Sequence, residues 1–161
     1  MLSATTQYAL RALAHLATLK QGESVLGRDL AKITGIPQNY LSKILVALGG
    51  AGIIRASRGT GGGYQLACRP EETSLAAAVV LFDKNFAKPG CLLGYNQICS
   101  DETACPAHLA WRETKSCILS FLESTTLEEI ADHDGFHIQN PQGTPGAGRR
   151  KTKPRVGRCA G

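Results

Sequence analysis

The sequence predicts a mainly α-helical fold with one small β-hairpin. Three observations support this expectation. Apolar residues recur at helical spacing along the first 48 residues, two short strand-like stretches flank a glycine-rich segment at 57–63, and helical periodicity returns from Pro106 onward. A chain of 161 residues is long enough for one main core with further elements attached to it.

The first two helices are predicted from apolar spacing. The first runs from Thr6 to Leu19, where leucine and alanine repeat at helical intervals. The second runs from about Leu26 to Thr34 and should place Leu30 and Ile33 inward. Gly35 then closes it, because glycine accepts the left-handed backbone that often ends a helix.

The third predicted helix begins at Pro37, whose fixed φ suits a first helical turn. Its apolar stripe has the i, i+3, i+4, i+7 spacing of a buried face and consists of Leu41, Ile44, Leu45 and Leu48. Polar residues are left on the other side. Two helices joined by a tight turn form the arrangement that presents a recognition helix.

A β-hairpin should follow, with strands at 53–56 and 64–67. Its tip, residues 57–63, contains four glycines, which permit positive φ and close approach of the backbone to a partner. The glycines do not form a nucleotide-binding loop, since the G-x-x-x-x-G-K-[ST] pattern is absent and Tyr64 stands where G-x-G-x-x-G requires its last glycine.

Helices are also predicted in the second half of the chain. Ser74 is placed to cap a helix over 75–82, and a long helix should run from Pro106 to Leu122. The apolar face of the long helix is expected to pack against a second subunit, the alternative being that it docks on its own domain. A short helix at 127–131 should follow it.

Charge is unevenly distributed along the chain. The net charge is +6 over residues 1–70, −7 over 71–138 and +6 over 139–161, which sums to +5. A basic front and tail around an acidic middle suggest a polyanion-binding domain joined to a module with another role. The tail, rich in Pro, Gly, Lys and Arg, is expected to be disordered.

Composition excludes several classes of protein. The longest apolar run, 75–82, is too short to span a bilayer, and no secretory leader is recognisable, so a cytoplasmic protein without membrane contact is expected. In a reducing compartment the six cysteines favour metal ligation, redox chemistry or buried thiols over disulfides. Cys68 and Cys117 are expected to be buried thiols. No catalytic constellation is visible, so no enzyme activity is predicted.

Three of these features, in their order along the chain, indicate DNA binding. Short polar side chains at the start of a recognition helix can read base edges, a lysine can neutralise phosphate, and an arginine on a glycine-rich wing suits the minor groove. The candidate DNA-binding residues are Gln38, Asn39, Tyr40, Ser42, Lys43, Arg58, Gly59, Thr60 and Gly61. The fold class is therefore a winged helix-turn-helix followed by a long C-terminal dimerisation helix.

Five stretches carry a family resemblance: Tyr8-Ala9-Leu10-Arg11-Ala12-Leu13, Ile36-Pro37 with Tyr40-Leu41, Lys43-Ile44-Leu45, Ala51-Gly52-Ile53-Ile54 and Arg58-Gly59-Thr60-Gly61-Gly62-Gly63-Tyr64. Together they resemble the Rrf2 family of winged-helix regulators over roughly residues 1–135. The resemblance implies a homodimer that binds a pseudo-palindromic double-stranded DNA operator, with each recognition helix in a major groove and each wing in a minor groove.

A second constellation contains thiols and an imidazole: Cys91, Cys99, Cys105 and His108. Such ligands suit an iron-sulfur cluster or zinc. Seven and five residues separate the successive cysteines, whereas zinc sites usually pair cysteines two to four residues apart. A cluster is therefore preferred.

The segment Cys105-Pro106-Ala107-His108-Leu109-Ala110-Trp111 resembles that of cluster-sensing Rrf2 members, in which three cysteines hold a [2Fe-2S] or [4Fe-4S] cluster. His108 matches the histidine that is the fourth ligand in one of them. The seven-residue spacing departs from the usual five. No acidic residue occupies the neighbourhood of Gln7 and Tyr8, where other members carry their fourth ligand. We expect [2Fe-2S] in preference to [4Fe-4S].

These features predict a repressor or dual regulator that senses redox state, nitric oxide or iron-sulfur status. The alternative is a metal-free Rrf2-type regulator that uses a thiol switch or a partner protein; a zinc-stabilised adaptor is a further possibility. The expected division is a DNA-binding domain at 1–82, a cluster-binding loop at 83–104, a dimerisation helix and short helix at 105–138, and the basic tail at 139–161.

Overall fold

The computed structural model describes residues 2–59, 61–84, 92 and 104–131. Its helices and strands follow in order: α1 Ala4–Ala17, α2 Gly27–Thr34, α3 Gln38–Gly50, β1 Ile54–Ser57, β2 Gly63–Leu66, a 3-10 turn Pro70–Glu72, α4 Leu75–Phe82, α5 His108–Ser124 and α6 Leu127–Ile130. The predicted winged helix-turn-helix with a C-terminal helix is confirmed. The predicted tail at 139–161 lies outside the described residues.

Helix α1 lies at the centre of the core. It packs against α2, α3, α4 and α6, and Ala9 and Ala12 are fully buried. Alanine at these positions lets the neighbouring helices approach closely because it carries only a methyl group. The largest completely buried apolar side chains around it are Leu13, Leu30, Leu41, Ile44, Leu48, Val79 and Leu127.

The turn between α2 and α3 follows the prediction with one correction. Gly35 ends α2 in the left-handed conformation, with φ 66°, and Leu30 is buried. Ile33, however, is 51% exposed, so its predicted inward orientation was wrong. Leu30, Ala31 and Thr34 define the buried arc of α2. Ile33 lies three residues, or about 300°, beyond Leu30 and therefore falls at the edge of that arc.

Helix α3 ends in a Schellman motif. The Gly52 N–H donates to the Gly49 carbonyl and the Ile53 N–H to the Leu48 carbonyl, both at 3.0 Å. Gly52 has φ 73°, a conformation that costs other residues a clash between Cβ and the backbone. The motif turns the chain directly from the recognition helix into the wing, which we define as the hairpin formed by β1 and β2.

The wing strands pair in antiparallel register from Ile54 opposite Leu66 to Ser57 opposite Gly63. Their bounds lie within one residue of the prediction. Val25 extends the sheet by a bridge to Tyr64, in which each residue's N–H donates to the other's carbonyl, at 3.1 and 2.8 Å. The loop before α2 therefore holds the root of the wing.

The C-terminal helices are fastened to the domain at one end of α5. Leu75 N–H donates to the Thr125 carbonyl at 3.0 Å and Leu127 N–H to the Thr73 carbonyl at 2.8 Å. Leu122 is the buried residue of α5. Ser74 stands at the N-cap of α4 as predicted, but its side chain makes no capping hydrogen bond.

Two cysteine predictions were wrong. Cys68 and Cys117 are both exposed. Cys68 lies just beyond β2, outside the hairpin. Cys117 lies on α5, and it remains accessible because this helix buries little of its own surface in the described protomer. No helix in the described ranges is long and apolar enough to cross a bilayer.

Two glycines of the α3 terminus should respond oppositely to alanine. Gly52→Ala should lower the free energy of unfolding by about 1 to 2 kcal/mol, because alanine is strained at a left-handed φ. Gly49→Ala is the matched control: its Cβ would meet nothing within 4 Å, so the higher helix propensity of alanine should raise stability by up to about 1 kcal/mol. Urea unfolding of both variants measures this, and equal effects would contradict the assignment of the motif.

Candidate nucleic-acid interface

The outward face of α3 carries every candidate residue of the recognition helix. Its opposite face buries the predicted apolar stripe, each member of which is at most 3% exposed. The candidates on the outward face are all exposed: Gln38, Asn39, Tyr40, Ser42 and Lys43. The hydroxyl of Ser42 donates to the carbonyl of Gln38 at 2.9 Å, which leaves its oxygen available to accept a hydrogen bond.

An aromatic and cationic cluster orients the start of α3. The Tyr40 ring meets the Tyr8 ring edge to face, with centroids 6.5 Å apart and planes at 67°. The Arg11 guanidinium lies 5.5 Å from the centroid of the Tyr8 ring and donates to the Thr34 carbonyl at 3.5 Å. Cation–π and edge-to-face contacts of this kind are attractive, so α1 holds Tyr40 while leaving it 59% exposed.

The tip of the wing is exposed and built on glycine. Gly59 and Gly61 have φ of 99° and 83°, and the Gly62 N–H donates to the Gly59 carbonyl at 2.9 Å. A Cβ on Gly62 would lie 2.5 Å from the Ser57 carbonyl oxygen, so the tight tip excludes any side chain there. Arg58 is exposed beside it, whereas Thr60 lies outside the described residues.

Part of the predicted metal centre lies at the start of α5. Cys105 and His108 are both half-buried, and the His108 N–H donates to the Cys105 carbonyl at 2.9 Å. Cys91 and Cys99 lie outside the described residues. Within the described ranges no three His, Cys, Asp or Glu side chains form a group that could hold a metal ion. Two of the four predicted ligands are therefore placed, one helical turn apart.

Comparison with known proteins decides the family. Residues 2–133 match the Rrf2 family, described as iron-dependent transcriptional regulators. The chain belongs to the Rrf2 family. It is 32% identical over 138 residues to an HTH-type transcriptional regulator of Aquifex aeolicus (strain VF5), covering 84% of this chain and 94% of that protein. It is also 32% identical over 127 residues to the HTH-type transcriptional regulator NsrR of Geobacillus kaustophilus (strain HTA426), covering 79% and 86%.

The fold of this Rrf2 protein is shared with a solved structure, that of CymR (YrzC), the global cysteine regulator of B. subtilis. The TM-score is 0.69 at 22% identity, over 81% of this chain and 95% of the other. Family membership makes this protein a DNA-binding transcription regulator, and both named relatives are described as HTH-type transcriptional regulators.

Sequence reasoning missed three features of this Rrf2 protein. The contact of Tyr8 with Tyr40 of α3, and of Arg11 with the Tyr8 ring, was signalled only by the i, i+3 spacing of Tyr8 and Arg11 on α1. Val46, on the outward face of α3, belongs neither to the apolar stripe nor to the polar candidates, so neither pattern indicates it. Asp83 is the first residue of the predicted cluster-binding loop at 83–104, where no pattern indicates a structural role for it.

The Asp83 carboxylate ties the end of α4 to the start of α1. It accepts hydrogen bonds from the Ser3 N–H at 2.9 Å and from the Thr6 hydroxyl at 2.7 Å. Burial by itself raises the pKa of Asp83, but these hydrogen bonds to the ionised form outweigh it, and the pKa lies below its ordinary value. These hydrogen bonds, which we call the Asp83 latch, therefore fix the domain at the point where the chain enters the predicted cluster-binding loop at 83–104.

Substitution of Asp83 should change how the free energy of unfolding depends on pH. Asp83→Ala should cost about 1 to 2 kcal/mol at pH 7 through the lost charged hydrogen bonds. A carboxyl with a depressed folded pKa stabilises fully above its unfolded value, about 3.9, and loses that contribution as pH falls through the folded pKa. The difference in the free energy of unfolding between wild type and Asp83→Ala, measured by urea unfolding, should therefore close below about pH 4.

Asp83→Asn is the control for the Asp83 latch, because the amide oxygen keeps an acceptor but does not titrate. It should lose less stability than the alanine variant at pH 7. A gap between wild type and Asp83→Ala that stays constant from pH 7 to pH 2.5 would contradict the assignment.

Proposed function

We propose that this Rrf2 regulator is a homodimer that binds a pseudo-palindromic operator and adjusts its affinity through an iron-sulfur cluster. The observation that carries the DNA-binding geometry is the division of α3 into a fully buried apolar stripe and an exposed polar face. Because the core fixes the rotation of α3, its polar face is available to a major groove, which is wide enough to admit a helix.

Six of the nine candidate residues have a role in this geometry. Gln38 and Asn39 reach base edges from the first turn of α3, where amide groups can donate and accept together. Lys43 neutralises phosphate. Arg58 enters the minor groove, and glycines at 59 and 61 let the backbone of the wing approach closely. Thr60, which lies between these two glycines in the sequence, remains a candidate of the same group.

The cluster would be held by Cys91, Cys99, Cys105 and His108, with [2Fe-2S] favoured. The described donors fit such a group, since a thiol and an imidazole lie half-buried one helical turn apart at the start of α5. When bound, the cluster supplies a centre that reacts with oxidants and nitric oxide. The description of the family as iron-dependent supports this assignment.

Two hydrogen-bonded attachments would transmit a signal from the cysteine-containing segment, residues 85–104, to the DNA-binding domain. At one border, Asp83 holds the start of α1 through Ser3 and Thr6. Beyond the other border, α5 is pinned to the start of α4 through the Thr125 carbonyl. A change in the ligand set would therefore act on both α1 and α5. A coupling of about 1 to 3 kcal/mol would suffice for regulation.

The dimer would form along α5. Leu109, Ile118 and Phe121 on this helix are 58%, 37% and 57% exposed in the protomer. Several large apolar side chains exposed on one helix favour a contact with a second subunit, and two-fold dimers are the commonest oligomers.

A metal-free regulator is the second candidate. The exposure of Cys68 and Cys117 favours it, because accessible thiols can be oxidised. The fold shared with the global cysteine regulator CymR is compatible with both candidates.

Anaerobic purification separates the two candidates. The wild-type protein should contain iron and sulfide with a visible absorption band, and oxidant or nitric oxide should change its affinity for a selected operator about 5- to 150-fold, as measured by gel shift. The triple variant Cys91→Ala, Cys99→Ala and Cys105→Ala should lack both iron and response. Cys68→Ala and Cys117→Ala are the controls. A colourless wild-type protein whose response disappears in these controls would instead establish the thiol switch.

Two substitutions on α3 should affect DNA binding differently. Asn39→Ala should reduce discrimination against single-base changes by about 1 to 3 kcal/mol at one position of each half-site. Lys43→Ala should weaken binding to all sequences and reduce the slope of log affinity against log salt by about 1. Lys20→Ala, an exposed lysine in the loop after α1, is the charge control. Fluorescence anisotropy at several salt concentrations measures these effects, and equal slopes for all three variants would contradict the assignment of Lys43.

A further inference from the structure

Val46 is the most exposed of the large hydrophobic side chains in the described part of the chain, at 75%. It lies in the middle of α3, and the helix buries its other aliphatic side chains of this size on the opposite face. Neither the core nor the aromatic cluster at Tyr40 therefore accounts for it.

Val46 shares its face with the polar candidates. It follows Ser42 by four residues and Lys43 by three, the spacings that bring side chains together on a helix. With a rise of about 1.5 Å per residue, Val46 lies about 6 Å along the axis from Ser42, or roughly two base-pair steps. Helical side chains lean toward the N-terminus, so its methyl groups point back toward the polar turn.

Beyond Val46 the same face of α3 carries no side chain, because glycines follow. Gly49 and Gly50 occupy the i+3 and i+4 positions and have no positive φ. A Cβ on either would meet nothing within 4 Å, so the described fold does not require glycine at these positions. Val46 is thus the last side chain on this face, and nothing on the next turn shields it from a partner lying against the helix.

An apolar branched side chain has one specific counterpart in the major groove. Thymine alone presents a methyl group there, at C5, and apolar side chains contact it. We propose that Val46 is a specificity-determining residue that contacts a thymine methyl in each half-site. This inference rests on the proposed function, in which the outward face of α3 enters the major groove.

Uracil substitution tests the contact, because uracil differs from thymine only by the absent methyl. The wild-type full-length protein first selects a duplex from a pool of random sequences, and each thymine of that duplex is then replaced in turn. At one thymine per half-site, uracil should weaken wild-type binding about fourfold, the effect of exposing one methyl-sized group. Val46→Ala should bind the thymine and uracil duplexes equally at that position.

Lys43→Ala is the matched control on the same face. It should lose affinity for both duplexes and preserve their fourfold ratio, because a phosphate contact does not depend on the methyl. Circular dichroism melting should show thermal midpoints no lower than that of the wild type for both variants, because alanine is the better helix former at these exposed positions, and this separates the effect from misfolding.

The outcomes are distinguishable. Loss of uracil sensitivity at one position in Val46→Ala alone supports the contact. Sensitivity that persists in Val46→Ala at every thymine, or that disappears equally in Lys43→Ala, overturns it while leaving operator binding intact. A pool that yields no enriched sequence overturns the proposed function and this inference together.

Discussion

The packing of α3 against the rest of the domain is the constraint on which the other features depend. Leu41, Ile44, Leu45 and Leu48 fix the rotation of the helix, because turning it would expose this stripe to water. Everything on the opposite side is thereby presented outward, polar residues and Val46 alike. The Schellman motif at Gly52 then directs the chain into the wing within a few residues. The buried face thus determines which residues of α3 stand outward, and the Schellman motif determines where the wing begins.

Hydrogen bonds fasten the elements on either side of the predicted cluster-binding loop, at Asp83 on one side and at the C-terminal end of α5 on the other. Asp83 is fastened to the helix at the centre of the core, and the end of α5 is fastened to the start of α4. Between these attachments, α5 exposes most of its apolar residues. In the proposed dimer, α5 would therefore contact a second subunit while its C-terminal end stays hydrogen-bonded to the start of α4.

Local patterns predicted most of the fold because they are set by short-range physics. Helical periodicity, Gly35 as a terminator and the glycine-rich hairpin tip located the elements of the winged domain to within a few residues. The errors concern exposure. Ile33 satisfied the periodicity but falls at the edge of the buried arc, and Cys68 and Cys117 satisfied a general tendency of cysteine that their positions do not support. Burial depends on which neighbour covers a residue, and spacing along the chain does not specify that neighbour.

The sequence by itself determined the order of the helices and wing and the polar character of one side of α3, since each of these follows from residue type and spacing, and its resemblance to known proteins indicated the family. Only the tertiary structure decided that Tyr8 and Arg11 support Tyr40, that Asp83 holds Ser3 and Thr6, and that Val46 stands uncovered. The latch of Asp83 joins residues 77 and 80 positions apart. Such contacts arise when helices pack in three dimensions, and no local pattern encodes them.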